Sequence, residues 1–374
     1  MKQMLKEIVT HLLRIFLRLF RIVKLKNNRI VFEAYDGKNY SCNPRYISEY
    51  LNQEYPDLFQ KYWVYQNKPF DIQDHNVLQI KRNSLNYCYY MLTSKIIIVN
   101  SGIPRYLPFR TKQIIINTWH GGGAYKKNFV SAANQQLYNK QITHFISSSE
   151  LFETYVIRES FGFQGTVLKF GMPRNDLLYQ NPAVLSKAAQ SSLGITKKCA
   201  LYAPTWRKNK NMLEFGLDYA MLKKALEKKL GGEWIILKRL HHEMNTQNIN
   251  ENPNFVIDVG AYPDMQELLA FSDVLITDYS STIWDYSILR KPCFLYVPDL
   301  SSYKNERDFY IDIHEWPFAL AENNAELCKC IQEFEETAYL KKIDAHHKLL
   351  GSYEQGNACQ QTADFIINNY SQHS

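Results

Sequence analysis

The sequence predicts an α/β protein of two doubly wound, Rossmann-like domains that face a central cleft, preceded by an amphipathic helix. Three observations carry this expectation. Strand-length apolar runs alternate with helix-length amphipathic runs from residue 29 onward. The alternation pauses at "YQNPAVLSKAAQSSLGIT", residues 179–196, and then resumes. Basic charge is concentrated in the first 26 residues. At 374 residues the chain exceeds one ordinary core, and its 45% hydrophobic content lets each half bury one of its own.

The first segment, 1–26, places Leu5, Ile8, Val9, Leu12, Phe16, Leu19, Phe20 and Val23 at helical spacing, with Arg14, Arg18 and Arg21 on another face. It holds seven basic residues against Glu7, a net +6 of the chain's +7, which leaves +1 for everything else. Charges interrupt each apolar run, so it cannot span a bilayer. It has no signal-peptide cleavage site. A helix of this kind suits the surface of an anionic membrane. The alternative is a helix packed on the protein's own core.

In the N-terminal half, 27–180, strands are expected at "RIVFEAY", "YWVYQN", "KIIIVNSG", "QIIINTWHGGG" and "HFISSSE", with "TVLKFGMPRND" closing the half. Helices are expected at "NPRYISEYLNQEY", "SLNYCYYMLTS" and "ELFETYVIRESFG". In the C-terminal half, 181–350, strands are expected at "CALYAPTWR", "EWIILKRLHH", "FVIDVG", "VLITDYSS" and "PCFLYVPD". Helices are expected at "LDYAMLKKALEKKLG", "DMQELLAFSD" and "TIWDYSILRK", with a last helix in 351–374. Residues 179–196 read as the connector. The seven cysteines are scattered with no CxxC or Cys/His cluster, which points to reduced thiols and away from a structural zinc site. The near-neutral body lacks a basic stripe, so nucleic acid is not an expected partner.

In doubly wound sheets ligands bind beyond the carboxyl ends of the strands. The turn "TWHGGG" places His120 there, beside glycines that allow close backbone approach, and predicts a histidine that titrates near neutral pH. In "LITDYSSTIWDYS", Ser280, Ser281 and Thr282 open a helix and can hold phosphate oxygens, and Asp285 can accept bonds from ribose hydroxyls. "ILKRLHH" brings Lys238, Arg239 and His241 to a strand end, a set suited to a diphosphate. "YAPTWR" places Thr205 and Arg207 in the same half. "GMPRND" puts Arg174, Asn175 and Asp176 where the halves join, either as an acceptor-side group or as a junction salt bridge and helix cap.

Together "NTWHG", "GMPRND", "YAPTWR", "LKRLH", "LITDYSST" and "DFYIDI", with "YDGKNYSCNPRYI" upstream, resemble the CDP-glycerol glycerophosphotransferases, the bacterial polyol-phosphate transferases of teichoic acid and capsule synthesis. The resemblance spans roughly residues 30–315 and is nearest to short, primase-like members. It implies a GT-B architecture with the nucleotide in the C-terminal half and attachment to the cytoplasmic face of the cell membrane. His120 then matches the base and His241 the histidine at the CDP diphosphate. The partners implied are a CDP-polyol donor, most simply CDP-glycerol, and a membrane-linked saccharide acceptor. No cofactor is implied, and metal dependence stays open. Gly121, Gly122 and Lys126 border the acceptor side. Here the sequence departs from the family pattern: Gly122 and Gly123 replace a Thr-Pro, Lys126 sits one residue late, and His242 stands where a proline usually follows His241. The identity of the polyol therefore stays open. So do two other functions, a nucleotide-sugar glycosyltransferase on the same fold and a non-enzymatic scaffold at the membrane surface.

Overall fold

The computed structural model describes residues 2–74, 76–123, 125–205, 216–240 and 254–371. Arg207 and His241 lie outside these.

The N-terminal sheet contains β1 (Lys26–Glu33), β2 (Gln60–Tyr65), β3 (Val77–Lys81), β4 (Ser94–Val99), β5 (Ile114–Asn117), β6 (His144–Ile146) and β7 (Thr166–Leu168). All pair in parallel, in the order β3-β2-β1-β4-β5-β6-β7. Residues 96–99 and 114–116 are buried without alternation, as strands covered on both faces must be. The second sheet contains β8 (Lys198–Tyr202), β9 (Trp234–Lys238), β10 (Val256–Asp258), β11 (Val274–Thr277), β12 (Cys293–Tyr296) and β13 (Ala319–Ala321), in the order β10-β9-β8-β11-β12-β13. In each sheet the chain order reverses once, at β1/β4 and at β8/β11. These switch points open crevices at the strands' carboxyl ends.

The helices are α1 (Lys2–Leu17), α2 (Cys42–Glu54), α3 (Leu85–Thr93), α4 (Ala132–Gln141), α5 (Asp176–Gln180), α6 (Pro182–Leu193), α7 (Tyr219–Leu230), α8 (Met265–Phe271), α9 (Thr282–Ile288), α10 (Leu300–Glu306), α11 (Asn324–Gln332), α12 (Glu336–Leu350) and α13 (Ala358–Ser371). A π-type helix covers Phe152–Ser160. The expected connector is largely α6, started by Pro182 and stopped by Gly194 in the left-handed region. β3, β13, α4, α5 and α10–α12 are elements without an expected counterpart. β3 is a short edge strand with Leu78 exposed, so its sequence lacks clean alternation. α13 crosses back to the first half, where Ala363 and Ile366 join the core that holds Ile47 and Leu51. All seven cysteines are free.

α1 is tied down at its end. Leu17 is buried, Arg14 donates to the Arg105 carbonyl at 2.6 Å, and Arg110 holds the carbonyls of Phe20 and Val23. Leu5, Leu12, Phe16 and Leu19 are 55–60% exposed. Most of the apolar face is therefore exposed, and only its end, at Leu17 and Phe20, packs on the core of the first half. Among the described residues no helix is long and apolar enough to cross a membrane.

The halves interlock. Tyr46 and Tyr125, from the first half, are part of the second half's core. Lys126 bridges antiparallel to Phe309, and Tyr310 N donates to the Tyr125 carbonyl at 2.9 Å. The glycines after His120 lie at this junction. A Cβ on Gly121 would stand 3.0 Å from Ser281 Oγ, and one on Gly122 only 2.2 Å from Trp284 Cδ1. These glycines, expected to border the acceptor side, admit the opposite domain. Gly122→Ala must push the buried Trp284 or its own loop aside, and overpacking of this kind costs about 1–3 kcal/mol. We expect a lower midpoint for Gly122→Ala in thermal or urea unfolding. An unchanged midpoint would mean that the halves do not pack here in solution.

Candidate active site

A cleft of about 1900 Å³ runs between the switch points and is lined from both halves. His120 stands on its wall, three residues past β5. Asn117 Oδ1 accepts from Trp119 N at 2.8 Å, and Trp119 takes a left-handed φ of 51°. This turn brings His120 Nδ1 to 2.8 Å from the Asn100 carbonyl. A carbonyl only accepts, so Nδ1 carries the proton and Nε2 keeps its lone pair. The ring packs on Trp119 with centroids 4.1 Å apart. Burial, helped by the charges of Arg174 and Lys126 and opposed by the bond to Asn100, lowers its pKa to about 4. This corrects the expectation of titration near neutral pH: His120 is neutral across the physiological range, with its tautomer set.

Behind His120 lies a buried ion pair. Arg174, in the 3₁₀ turn Pro173–Asn175, donates to the His120 carbonyl at 2.7 Å and pairs with Asp285 of α9 at 2.8 Å. Asp285 also accepts from Asn175 at 3.1 Å and Gln266 at 3.0 Å. Its carboxylate is thus engaged by protein, while Asp285 also lines the cleft. Asn175 further donates to Glu354 at 3.1 Å, which also accepts from Trp284 Nε1 at 2.9 Å and Met172 N at 3.1 Å. Burial raises the Glu354 pKa to about 8. Asp176 faces away from the cleft and caps α13, accepting from Ala358 N at 2.9 Å and Cys359 N at 2.7 Å. Of the two readings of "GMPRND", the geometry is that of the junction salt bridge and cap.

The C-terminal wall carries Ser280, Ser281, Thr282, Thr205 and Arg239. The hydroxyls of Ser280 and Thr282 lie 2.8 Å apart. Thr205 donates to Asp278 at 2.6 Å, which joins the ends of β8 and β11. Arg239 is steered by a bond to the Tyr262 carbonyl at 2.8 Å. Lys238 does not line the cleft. It is buried and paired with Asp258 at 3.1 Å, because a strand's alternation turns it away from its neighbour Arg239. On the opposite wall Lys126 lines the cleft, whereas Gly121 and Gly122 are buried at the junction.

Several participants carried no legible signal. Tyr35 and Asp36 follow β1 with left-handed φ values of 48° and 58°, and Tyr35 N donates to Asn100 Oδ1 at 2.8 Å. Asn43 accepts from Arg174 N at 3.1 Å and donates to the Trp119 carbonyl at 3.0 Å. "YDGKNYSCNP" contains these residues, but only the resemblance drew notice to it. Nothing in the sequence marks Glu354.

Comparison with known proteins agrees with this fold. The chain is 31% identical to the teichoic acid poly(glycerol phosphate) polymerase of Bacillus spizizenii, over 95% of this chain and 97% of that protein. It is 32% identical to the enzyme of the same name from Bacillus subtilis, but spans only 45% of that protein's length. The solved structure of the wall teichoic acid polymerase TagF superposes with a TM-score of 0.82 at 28% identity, over 99% of this chain and 96% of that one. The model of the family described as CDP-Glycerol:Poly(glycerophosphate) glycerophosphotransferase matches residues 15–368, and the chain belongs to that family.

Proposed function

We propose that the protein transfers glycerol phosphate from CDP-glycerol to a hydroxyl of a membrane-linked saccharide acceptor in teichoic acid synthesis. The observation that carries this reading is His120, a neutral imidazole with its Nδ1 proton held by Asn100, on a cleft between two Rossmann-like halves. The acceptor oxygen attacks the β-phosphorus and its proton passes to His120 Nε2. The bond from the β-phosphorus to the bridging oxygen breaks, and CMP leaves with that oxygen and the electron pair. Arg239 and the hydroxyls of Ser280 and Thr282 face the side on which this charge grows. His241 and Arg207 keep their expected place at the diphosphate as part of this proposal. An anionic substrate raises the affinity of His120 for a proton, so a base that is weak in the free enzyme strengthens when the cleft is filled.

Attachment to the cytoplasmic face of the membrane is part of the same reading. It is supported by the exposed leucines and phenylalanine of α1 beside Arg14, Arg18 and Arg21.

His120→Ala should lower kcat by about 10²–10⁴ while CDP still binds, measured by CMP release and by calorimetry. A group with a lowered pKa is deprotonated above it, so the basic form of His120 is lost only as pH falls through about 4. The acid limb of kcat/KM should lie there for the wild type. Full turnover by the variant, or a limb at about 6.5 where an unperturbed histidine titrates, would contradict the assignment.

Phe16→Glu/Leu19→Glu should abolish co-flotation with anionic vesicles at low salt and leave turnover of a soluble acceptor analogue intact. Undiminished flotation would remove α1 as the anchor.

A further inference from the structure

The cleft continues past His120 over the N-terminal half, along α2 and the loop that follows β2. Its lining changes there. Asn52, Gln53, Gln66 and Asn67 present carboxamides, and Tyr40 and Phe70 present rings. The arm is held firmly. Gln79 bonds both backbone groups of Phe70, at 2.7 and 2.8 Å. Tyr40 packs edge-on against the buried Trp63 with centroids 4.5 Å apart, and Gln66 N donates to the Gly37 carbonyl at 2.7 Å.

Two properties point to an occupant. The first is unmet hydrogen bonding. Both polar atoms of the Asn52 carboxamide, Gln66 Oε1 and Asp74 Oδ2 are buried without a partner. Buried polar groups are rarely left so, and a ligand rich in hydroxyls both donates and accepts. The second is charge. Asp71 and Asp74 line the arm, with Asp36 paired to Arg82 at 2.8 Å and Glu49 paired to Arg45, against Lys38. Arg45 is already engaged, by Glu49 and Asp264, each at 2.8 Å. Among the described residues that line the arm no cationic surplus remains for a chain of phosphates, and like charges across an interface disfavour one.

We infer that this arm is a saccharide subsite, which binds an uncharged, hydroxyl-bearing sugar of the acceptor and disfavours an acceptor end that already carries polyol phosphate. The carboxamides bond ring hydroxyls, and Tyr40 and Phe70 cover apolar C–H faces. The inference rests on the transfer reading above for its account of what the sugar does. It makes the protein better suited to the first addition onto a glycan than to extension of a charged polymer.

Titration calorimetry tests this on the full chain, with octyl glycosides of glucose, lactose and N,N′-diacetylchitobiose as probes. Each is compared with the same glycoside bearing one glycerol phosphate on its terminal sugar. At least one uncharged glycoside should bind, and its charged counterpart should bind about tenfold more weakly. Asn52→Ala and Gln66→Ala should each weaken the uncharged probe about tenfold, the loss of one or two hydrogen bonds, without changing CDP affinity. Two variants on different elements guard against a folding defect in either. The inference is overturned if no uncharged probe binds, if both variants bind like the wild type, or if the charged probes bind as well or better. The titration needs no turnover, so its failure is separable from failure of the transfer reading, which is measured by CMP release.

Discussion

The arrangement depends on one buried ion pair. Arg174 belongs to the first half and Asp285 to the second, and their side chains meet at 2.8 Å with almost no exposure. Taking both charges out of water is costly, and the pair persists because most of their other polar positions are also bonded, Arg174 Nε being the exception. Asn175 and Gln266 complete Asp285, and the His120 carbonyl takes a second guanidinium bond. One contact therefore joins the domains and fixes the backbone of the proposed base. Removing one partner strands the other charge, which typically costs about 3–5 kcal/mol.

The surrounding residues follow from this closeness. Domains that meet at a buried pair must bring their backbones near, and Gly121 and Gly122 give the room that Ser281 and Trp284 occupy. Trp284 then needs a partner for its indole N–H, which Glu354 supplies at 2.9 Å. α13 returns to the first half through its cap on Asp176, next to Asn175. The cleft is left with two walls: His120 on one side, Arg239 and the Ser280–Thr282 turn on the other.

Much of the architecture was legible because long parallel strands are continuous apolar runs, and "KIIIVN" or "VLITDY" admits few other readings. The turns that line the cleft were legible for the same reason: they are where such runs stop at polar residues. What a motif could not tell was which way its residues face. Arg174, Asp285 and the glycines look like ligand-binding groups in one dimension, yet they bind the opposite domain. Lys238 and Arg239 are neighbours in sequence, but only Arg239 reaches the cleft. The lowered pKa of His120 comes from burial by Trp119 and its surroundings, a tertiary property. α6 escaped notice because it buries only Leu185 and Ala189, too little periodicity to stand out, although Pro182 and Gly194 marked its ends.

A double-mutant cycle on Arg174→Met and Asp285→Asn, followed by chemical unfolding, tests the central claim most directly. If the pair joins the halves, each single variant loses about 3–5 kcal/mol, and the double variant loses less than the sum by at least about 1 kcal/mol. Losses that add to within about 0.5 kcal/mol would mean that the two residues act independently, and would contradict the account.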